Sequence, residues 1–293
     1  MCGIVGLYCK SPELEPKLGE YLAAMLVQMS DRGPDSAGVA VYRDPAPDGL
    51  TKLTLYSADP AFDWAAVGGE VTGERARHAV VLVEGEADEA EASVRARFPE
   101  LRAMSAGRVI EIYKEVGSPR DFVRAFRLGE LRGTHGLGHT RMATESRVTT
   151  EGSHPFSTGH DLCLVHNGSL SNHNRLREEL RREGLSFQTE NDTEVAAAYL
   201  TWRLREGDAL ETALESCLDA LDGFYTFLVG TADGFAVLRD PIACKPAVLA
   251  ETDEWVAMAS EYRAIAALPG AADARIWEPE PGVVYAWEKE LVR

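Results

Sequence analysis

A chain of 293 residues, 45% apolar and 26% charged, is long enough to bury a substantial core and has the composition of an ordinary globular protein. Its 47 acidic against 30 basic residues give a formal net charge of −17, which repels phosphate backbones and anionic membrane surfaces and so excludes nucleic acid and membrane as expected partners. The five cysteines, at 2, 9, 163, 217 and 244, are odd in number and lack Cys-x-x-Cys spacing, which argues against a disulfide framework, a structural zinc site or an iron–sulfur cluster in this chain.

In chain order, the first apolar run, 4–8, reads as an N-terminal strand; it is too short for the hydrophobic region of a signal peptide, and no basic stretch precedes it. No later span approaches transmembrane length, so a reducing cytoplasm is the expected location. Leu18, Tyr21, Leu22, Met25, Leu26 and Met29 recur at helical spacing up to a stop at Asp31-Arg32-Gly33-Pro34. A strand is expected at 38–42. Residues 45–132 differ in character, with acidic clusters around 84–91 and a possible β-α-β pattern at 79–83, 87–97 and 108–113; the segment reads as an insertion, a surface elaboration without chemistry of its own. Further strands are expected at 136–139, 162–166, 225–229, 235–238, 247–249, 255–259 and 283–287. Helices are expected at 191–205, opened by an Asn-x-x-Glu capping pattern, and along the Leu210, Ala213, Leu214, Cys217, Leu218, Leu221 stripe. Strands outnumber helices and often follow one another directly, which favours α+β layering with antiparallel sheets over a doubly wound parallel sheet.

Cys2 is the strongest chemical signal. A small residue after Met1 permits removal of the methionine, which places a thiol and a free α-amine on the same residue. With ordinary pKa values near 7.7–8.0 for the amine and about 8.5 for the thiol, the amine is a ready acceptor of the thiol proton. Taken alone, a cysteine beside Ile4 and Val5 reads equally as buried filler. Arg141, closing the strand in Gly138-His139-Thr140-Arg141, offers a planar fork to a carboxylate. The turn expected at Asn167-Gly168 presents a side-chain amide and a backbone N–H to developing negative charge. Asp192, in the first turn of the 191–205 helix, reads either as favourable first-turn charge or as a carboxylate that suits an ammonium group, and the Arg32-Gly33-Pro34 turn reads equally as an ordinary helix stop or as one that places Arg32 beneath the N-terminal strand. His135 and His139 are four apart but lack a helical metal motif and read as structural; no metal site is expected.

These strings, together with Arg32-Gly33-Pro34-Asp35-Ser36, Ser153-His154-Pro155-Phe156, Leu221-Asp222-Gly223-Phe224, Arg239-Asp240-Pro241 and Ala259-Ser260-Glu261, resemble in register the class II glutamine amidotransferases over nearly the whole chain, 1–293. The resemblance implies the N-terminal-nucleophile hydrolase fold, a four-layer αββα sandwich, here with an inserted α/β segment at 45–132. It implies Cys2 as nucleophile, Asn167 and Gly168 as the oxyanion hole, Arg141 and Asp192 as ligands of the glutamine carboxylate and ammonium, Thr144 in the glutamine-covering loop, and Arg32 in support. The spacing to the His-Thr-Arg string is longer than the family's. Met142, where an aromatic often stands, and the 144–155 string look most like the separate amidotransferase subunits of glutamate-synthase-like systems, including N-methylglutamate synthase. On that resemblance the chain hydrolyses L-glutamine and passes ammonia to a partner synthase subunit that holds flavin and iron–sulfur, with no cofactor in this chain. A stand-alone amidase and a noncatalytic assembly subunit are the alternative expectations.

Overall fold

The computed structural model describes residues 2–143 and 148–289. In chain order the elements are β1 (Gly3–Cys9), α1 (Leu18–Gln28), β2 (Ser36–Tyr42), β3 (Leu50–Tyr56), β4 (Glu70–Arg75), β5 (His78–Glu84), α2 (Ala87–Arg97), β6 (Arg102–Gly107), β7 (Ile110–Val116), α3 (Pro119–Ala125) and β8 (His135–Arg141). They continue with β9 (Phe156–Gly159), β10 (Leu162–Leu170), α4 (His173–Arg182), α5 (Asp192–Arg205), α6 (Leu210–Ala220), β11 (Gly223–Gly230), β12 (Gly234–Arg239), β13 (Val248–Glu251), β14 (Trp255–Ala259), α7 (Tyr262–Ile265), β15 (Arg275–Trp277) and β16 (Val284–Glu288).

Alternating side chains build the layers. A seven-stranded sheet runs β15-β13-β14-β1-β8-β2-β7 and a five-stranded sheet runs β16-β12-β11-β10-β9, with neighbouring strands in both antiparallel. On β1, Ile4 and Tyr8 face a core shared with Cys163, Val165, Leu228 and Val237 of the second sheet. Val5, Leu7 and Cys9, on the other face of β1, pack with Leu22, Met25 and Leu26 of α1 and Phe122 of α3. The outer face of the five-stranded sheet is covered by α4, α5 and α6 through Leu176, Leu180, Val195, Leu200 and Leu214. The result is helix, sheet, sheet, helix, the α+β sandwich expected of an N-terminal-nucleophile hydrolase.

The 45–132 segment divides. Its β3 to β6 form a separate four-stranded sheet, β4-β5-β3-β6, whose core of Leu53, Val81, Ala90 and Val94 is closed by α2. The β-α-β pattern is there with a shifted last strand: β5, α2 and β6 form the unit, with β5 and β6 both antiparallel to the intervening β3. Residues 110–116, the expected third strand, are β7, paired along its whole length with β2 in the main sheet. Phe122 and Phe126 belong to the main core, so the part of the segment after residue 107 is integral to the sandwich.

Histidine burial sets an acid limit on this fold. His78, His135 and His139 are no more than 1% exposed, and burial pulls them from 6.5 down to about 3, about 4 and about 3; His154 is driven well below its ordinary value for the same reason. Above the unfolded value of 6.5 both states are neutral and nothing is lost. As pH falls below it, only the unfolded chain takes up protons, so stability drops until the folded values are reached. Each such group costs about 1.4 kcal/mol between roughly pH 7.5 and 5.5, and these four together cost about 5.5 kcal/mol. Denaturant titrations across that window should show this loss. His78, whose two ring nitrogens have no hydrogen-bond partner among the described residues and which lies 5.2 Å from the rings of Tyr56 and Phe126, is the test position: His78→Phe should remove about a quarter of this slope. A stability that stays flat through the window would refute the account.

Candidate active site

The half-buried Cys2 lies just before β1, between two groups that hold its backbone. Arg32, in the turn after α1, donates from Nε to the Cys2 carbonyl at 3.0 Å and from Nη1 to Glu261 Oε1 at 2.6 Å. Asn167 of β10 donates from Nδ2 to the same carbonyl at 3.3 Å. The Cys2 Sγ is 4.0 Å from the Met142 carbonyl oxygen, at the outer reach of a thiol contact. Thus one main-chain oxygen is gripped from both sheets, by a residue leading into β2 and by a residue on β10.

Strand register brings Arg141 to the same end. Gly3 pairs with Thr140, and Ser36 pairs with Arg141 on the other side of β8. The Arg32-Gly33-Pro34 turn lies flat on this strand: a Cβ at Gly33 would stand 2.4 Å from the Thr140 carbonyl carbon and 2.5 Å from the Arg141 nitrogen, so glycine alone fits. Asp35 locks the contact twice, donating its N–H to the Arg141 carbonyl at 3.0 Å and accepting from Ala143 N at 2.8 Å on Oδ2. The Arg141 guanidinium is 6% exposed as part of its residue and donates from Nη1 to the Gly152 carbonyl at 2.9 Å.

The turn expected at Asn167-Gly168 is absent. β10 runs straight through to Leu170, with Asn167 opposite Thr226 and Gly168 opposite Tyr225. The reason is steric: a Cβ at Gly168 would lie 2.0 Å from the Phe224 carbonyl oxygen, so the glycine serves close strand approach rather than chain reversal. Asp192 opens α5 and accepts from Leu170 N at 3.0 Å on Oδ2, which joins the helix start to the end of β10. The capping box is half made. Asn191 Oδ1 accepts from Thr193 N at 2.8 Å, but Glu194 turns its carboxylate to Gln188 N and Thr189 N, at 2.7 and 2.8 Å, in the preceding loop.

Behind Asp192 stands His166, which shares its Nδ1 with Thr193 Oγ1 at 2.9 Å and lies 3.8 Å from Asp192 Oδ1. Burial pulls its pKa down, against the pull of Asp192, so it stands neutral beside the carboxylate. His139 and His154 meet at 2.9 Å deeper in the interface, consistent with a structural role. Among the described residues no group of three or more His, Cys, Asp or Glu is arranged to hold a metal ion, and no helix is long and apolar enough to cross a membrane.

The structure therefore gathers Cys2, Arg32, Arg141, Asn167 and Gly168 at one end of the two sheets, with Asp192 joined to the end of β10; Thr144 lies outside the described residues. Sequence reasoning assigned no role to Asp35, Ser260 or Glu261, although each stood in a quoted string. Ser260 Oγ accepts from Ile4 N at 2.9 Å and so fixes the first turn-free residues of β1 beside Cys2.

A family described as a glutamine amidotransferase domain matches residues 139–267. The chain is 56% identical over 299 residues to the glutamine amidotransferase-like protein GlxB of Rhizobium meliloti (strain 1021), covering 99% of each chain. It is 30% identical over 307 residues to a putative glutamine amidotransferase of Methanothermobacter thermautotrophicus, covering 98% of this chain and all of that one. Among solved structures it is similar to the glutamine phosphoribosylpyrophosphate amidotransferase of B. subtilis complexed with ADP and GMP, with a TM-score of 0.62 and 22% identity, a likeness that bears on the fold. That match takes in 99% of this chain and 48% of the B. subtilis chain, about half its length.

Proposed function

This chain belongs to the class II glutamine amidotransferases, and from that premise we propose that Cys2 is the nucleophile of its glutaminase reaction and that the ammonia released is passed to a partner synthase subunit. The observation that carries the reading is the double hold on the Cys2 carbonyl by Arg32 and Asn167, beside Arg141 at the end of β8. With Met1 removed, the Cys2 α-amine takes the thiol proton and the thiolate attacks the side-chain amide carbon of glutamine. The carbonyl oxygen becomes an oxyanion that accepts from the Asn167 side-chain amide and the Gly168 N–H. An amide nitrogen has two hydrogens, so one serves the Cys2 carbonyl while the other serves the substrate. The protonated amine then gives its proton to the leaving nitrogen, the C–N bond breaks, and ammonia departs from a γ-glutamyl thioester. Water, activated by the same amine, cleaves the thioester and releases glutamate. Arg141 pairs with the substrate carboxylate and Asp192 with its ammonium, which together select an α-amino acid, and Arg32 supports the site.

The partner follows from Met142 after Arg141 and from the 144–155 string, which favour a glutamate-synthase-like or N-methylglutamate-synthase-like system whose other subunits hold flavin and iron–sulfur, in the cytoplasm. The test is to purify the full chain, establish its mature N-terminus by mass spectrometry, and measure glutamate release from glutamine and from amides that lack the α-carboxylate or α-ammonium. Glutamine should lead by about 100-fold in kcat/KM. Native purification from the source organism should bring down a subunit with flavin absorption. Equal rates on the truncated amides would refute the site reading, and a chain that purifies alone would refute the partner.

A further inference from the structure

The loop segment 148–155 returns from β8 toward β9 and carries the Gly152 carbonyl that accepts from Arg141. Two neighbouring residues of β7, in the segment that looked devoid of chemistry, hold it. Lys114 is 4% exposed, and its Nζ donates to the carbonyls of Glu151, Ser153 and Pro155 at 3.1, 2.9 and 3.1 Å. An ammonium has three donors, and here all three go to one stretch of main chain. Among the described residues no carboxylate pairs with it directly, while the Phe156 ring lies 4.6 Å from Nζ. Glu115 Oε1 accepts from Thr150 Oγ1 at 2.5 Å, and its other oxygen meets Arg77 Nη2 of the inserted sheet at 2.8 Å. Within the loop, Thr149 accepts from Gly152 N at 3.1 Å on Oγ1 and from Ser153 Oγ at 2.8 Å on its carbonyl, so the segment moves as one unit.

We propose that Lys114 and Glu115 are positioning residues for substrate binding: by fixing the 149–155 segment they set the Gly152 carbonyl that orients the Arg141 guanidinium, and through Arg77 they connect the inserted sheet to that clamp. The proposal rests on the reading of Arg141 as the ligand of the glutamine carboxylate. Burial pulls the Lys114 ammonium down to about 8, opposed by Glu194 and Glu151, so it remains mostly charged at neutral pH and its three bonds stay in place. Without the ammonium, three inward carbonyls lose their donor and the loop is freed to rotate, with Gly152 following.

The experiment compares Lys114→Met, Thr150→Val and Arg141→Lys in the full chain by steady-state glutamine hydrolysis. Alkylation of Cys2 by iodoacetamide without glutamine, read on the N-terminal peptide by mass spectrometry, reports on the nucleophile alone. Lys114→Met should raise KM for glutamine about tenfold with kcat within about threefold, and Thr150→Val about threefold, with the alkylation rate unchanged. Arg141→Lys should raise KM more than either. If Arg141→Lys leaves KM unchanged, the clamp reading itself fails. If Arg141→Lys raises KM while both loop variants stay within about twofold of the parent, the positioning proposal is overturned. It is equally overturned if Lys114→Met lowers kcat and Cys2 alkylation as much as it raises KM, the pattern of general damage. Should Lys114→Met show no native melting transition, Thr150→Val, which removes one hydroxyl from a loop, decides.

Discussion

Glutamine hydrolysis should fall by at least about 10⁴-fold when Cys2 is replaced by alanine, because no other group in the site can form the thioester. Cys9, Cys163 and Cys217 are buried, and burial pushes the thiols of Cys9 and Cys163 up to about 12 and raises that of Cys217 as well, which keeps them protonated and unreactive. Cys244 is exposed, in the segment between β12 and β13, and carries no α-amine of its own to take the thiol proton. The substitution should leave the fold intact. Among the described residues the hydrogen-bond contact of the Sγ is that to the Met142 carbonyl, at 4.0 Å, and the carbonyl that Arg32 and Asn167 hold belongs to the backbone, which alanine retains. Melting within about 2 °C of the parent is expected. Measurement of glutamate release by the two proteins decides: residual activity within tenfold of the parent would sink the assignment of Cys2.

The second large effect is expected at Asn167. Replacement by alanine removes an amide donor from the place where the oxyanion forms, and loss of one such donor costs about 3–4 kcal/mol of barrier, or roughly 10² to 10³ in kcat. The interaction exists only once the carbonyl oxygen is charged, so KM should stay within a few-fold of the parent. A structural role would act differently. Asn167 is 3% exposed and also donates to the Cys2 carbonyl at 3.3 Å, so a merely displaced N-terminus would impair substrate binding and turnover together. Separate determination of kcat and KM tells these apart; a rise in KM equal to the fall in kcat would refute the oxyanion role.

Much of this architecture was legible because its strands carry clean local signals. The runs around β8, β11, β12 and β14 are apolar and end at Gly, Asp or Pro, and each expected strand lies within or beside the observed one. α1 and α6 announce themselves through apolar residues at helical spacing. What stayed hidden depended on partners distant in sequence. α4 buries only Leu176, Arg177 and Leu180 and is otherwise polar, so a single pair of leucines four apart is all that marks its buried face. β7 reads as part of an insertion until its pairing with β2 is seen. The Asn167-Gly168 dipeptide has the composition of a turn, and only the Phe224 carbonyl across the ladder explains the glycine. The site followed the same division. Residue types with distinctive chemistry, a cysteine after Met1 or an arginine closing a strand, stand out locally. Lys114, Glu115 and Asp35 act through main-chain oxygens and amides that no residue-type pattern reveals.

The hold on the Cys2 carbonyl has one more consequence. Arg32 precedes a strand of the seven-stranded sheet and Asn167 belongs to the five-stranded one, so a single oxygen acts as a rivet between the two. Sliding of one sheet over the other by even a fraction of a strand repeat would draw the amide of Asn167 away from the nucleophile it accompanies. Alignment of the catalytic groups is thus a gauge of shear in the sandwich, and the tight contact of Gly6, where a Cβ would lie 2.6 Å from Leu228 Cδ2, is the stop that keeps the gauge at zero.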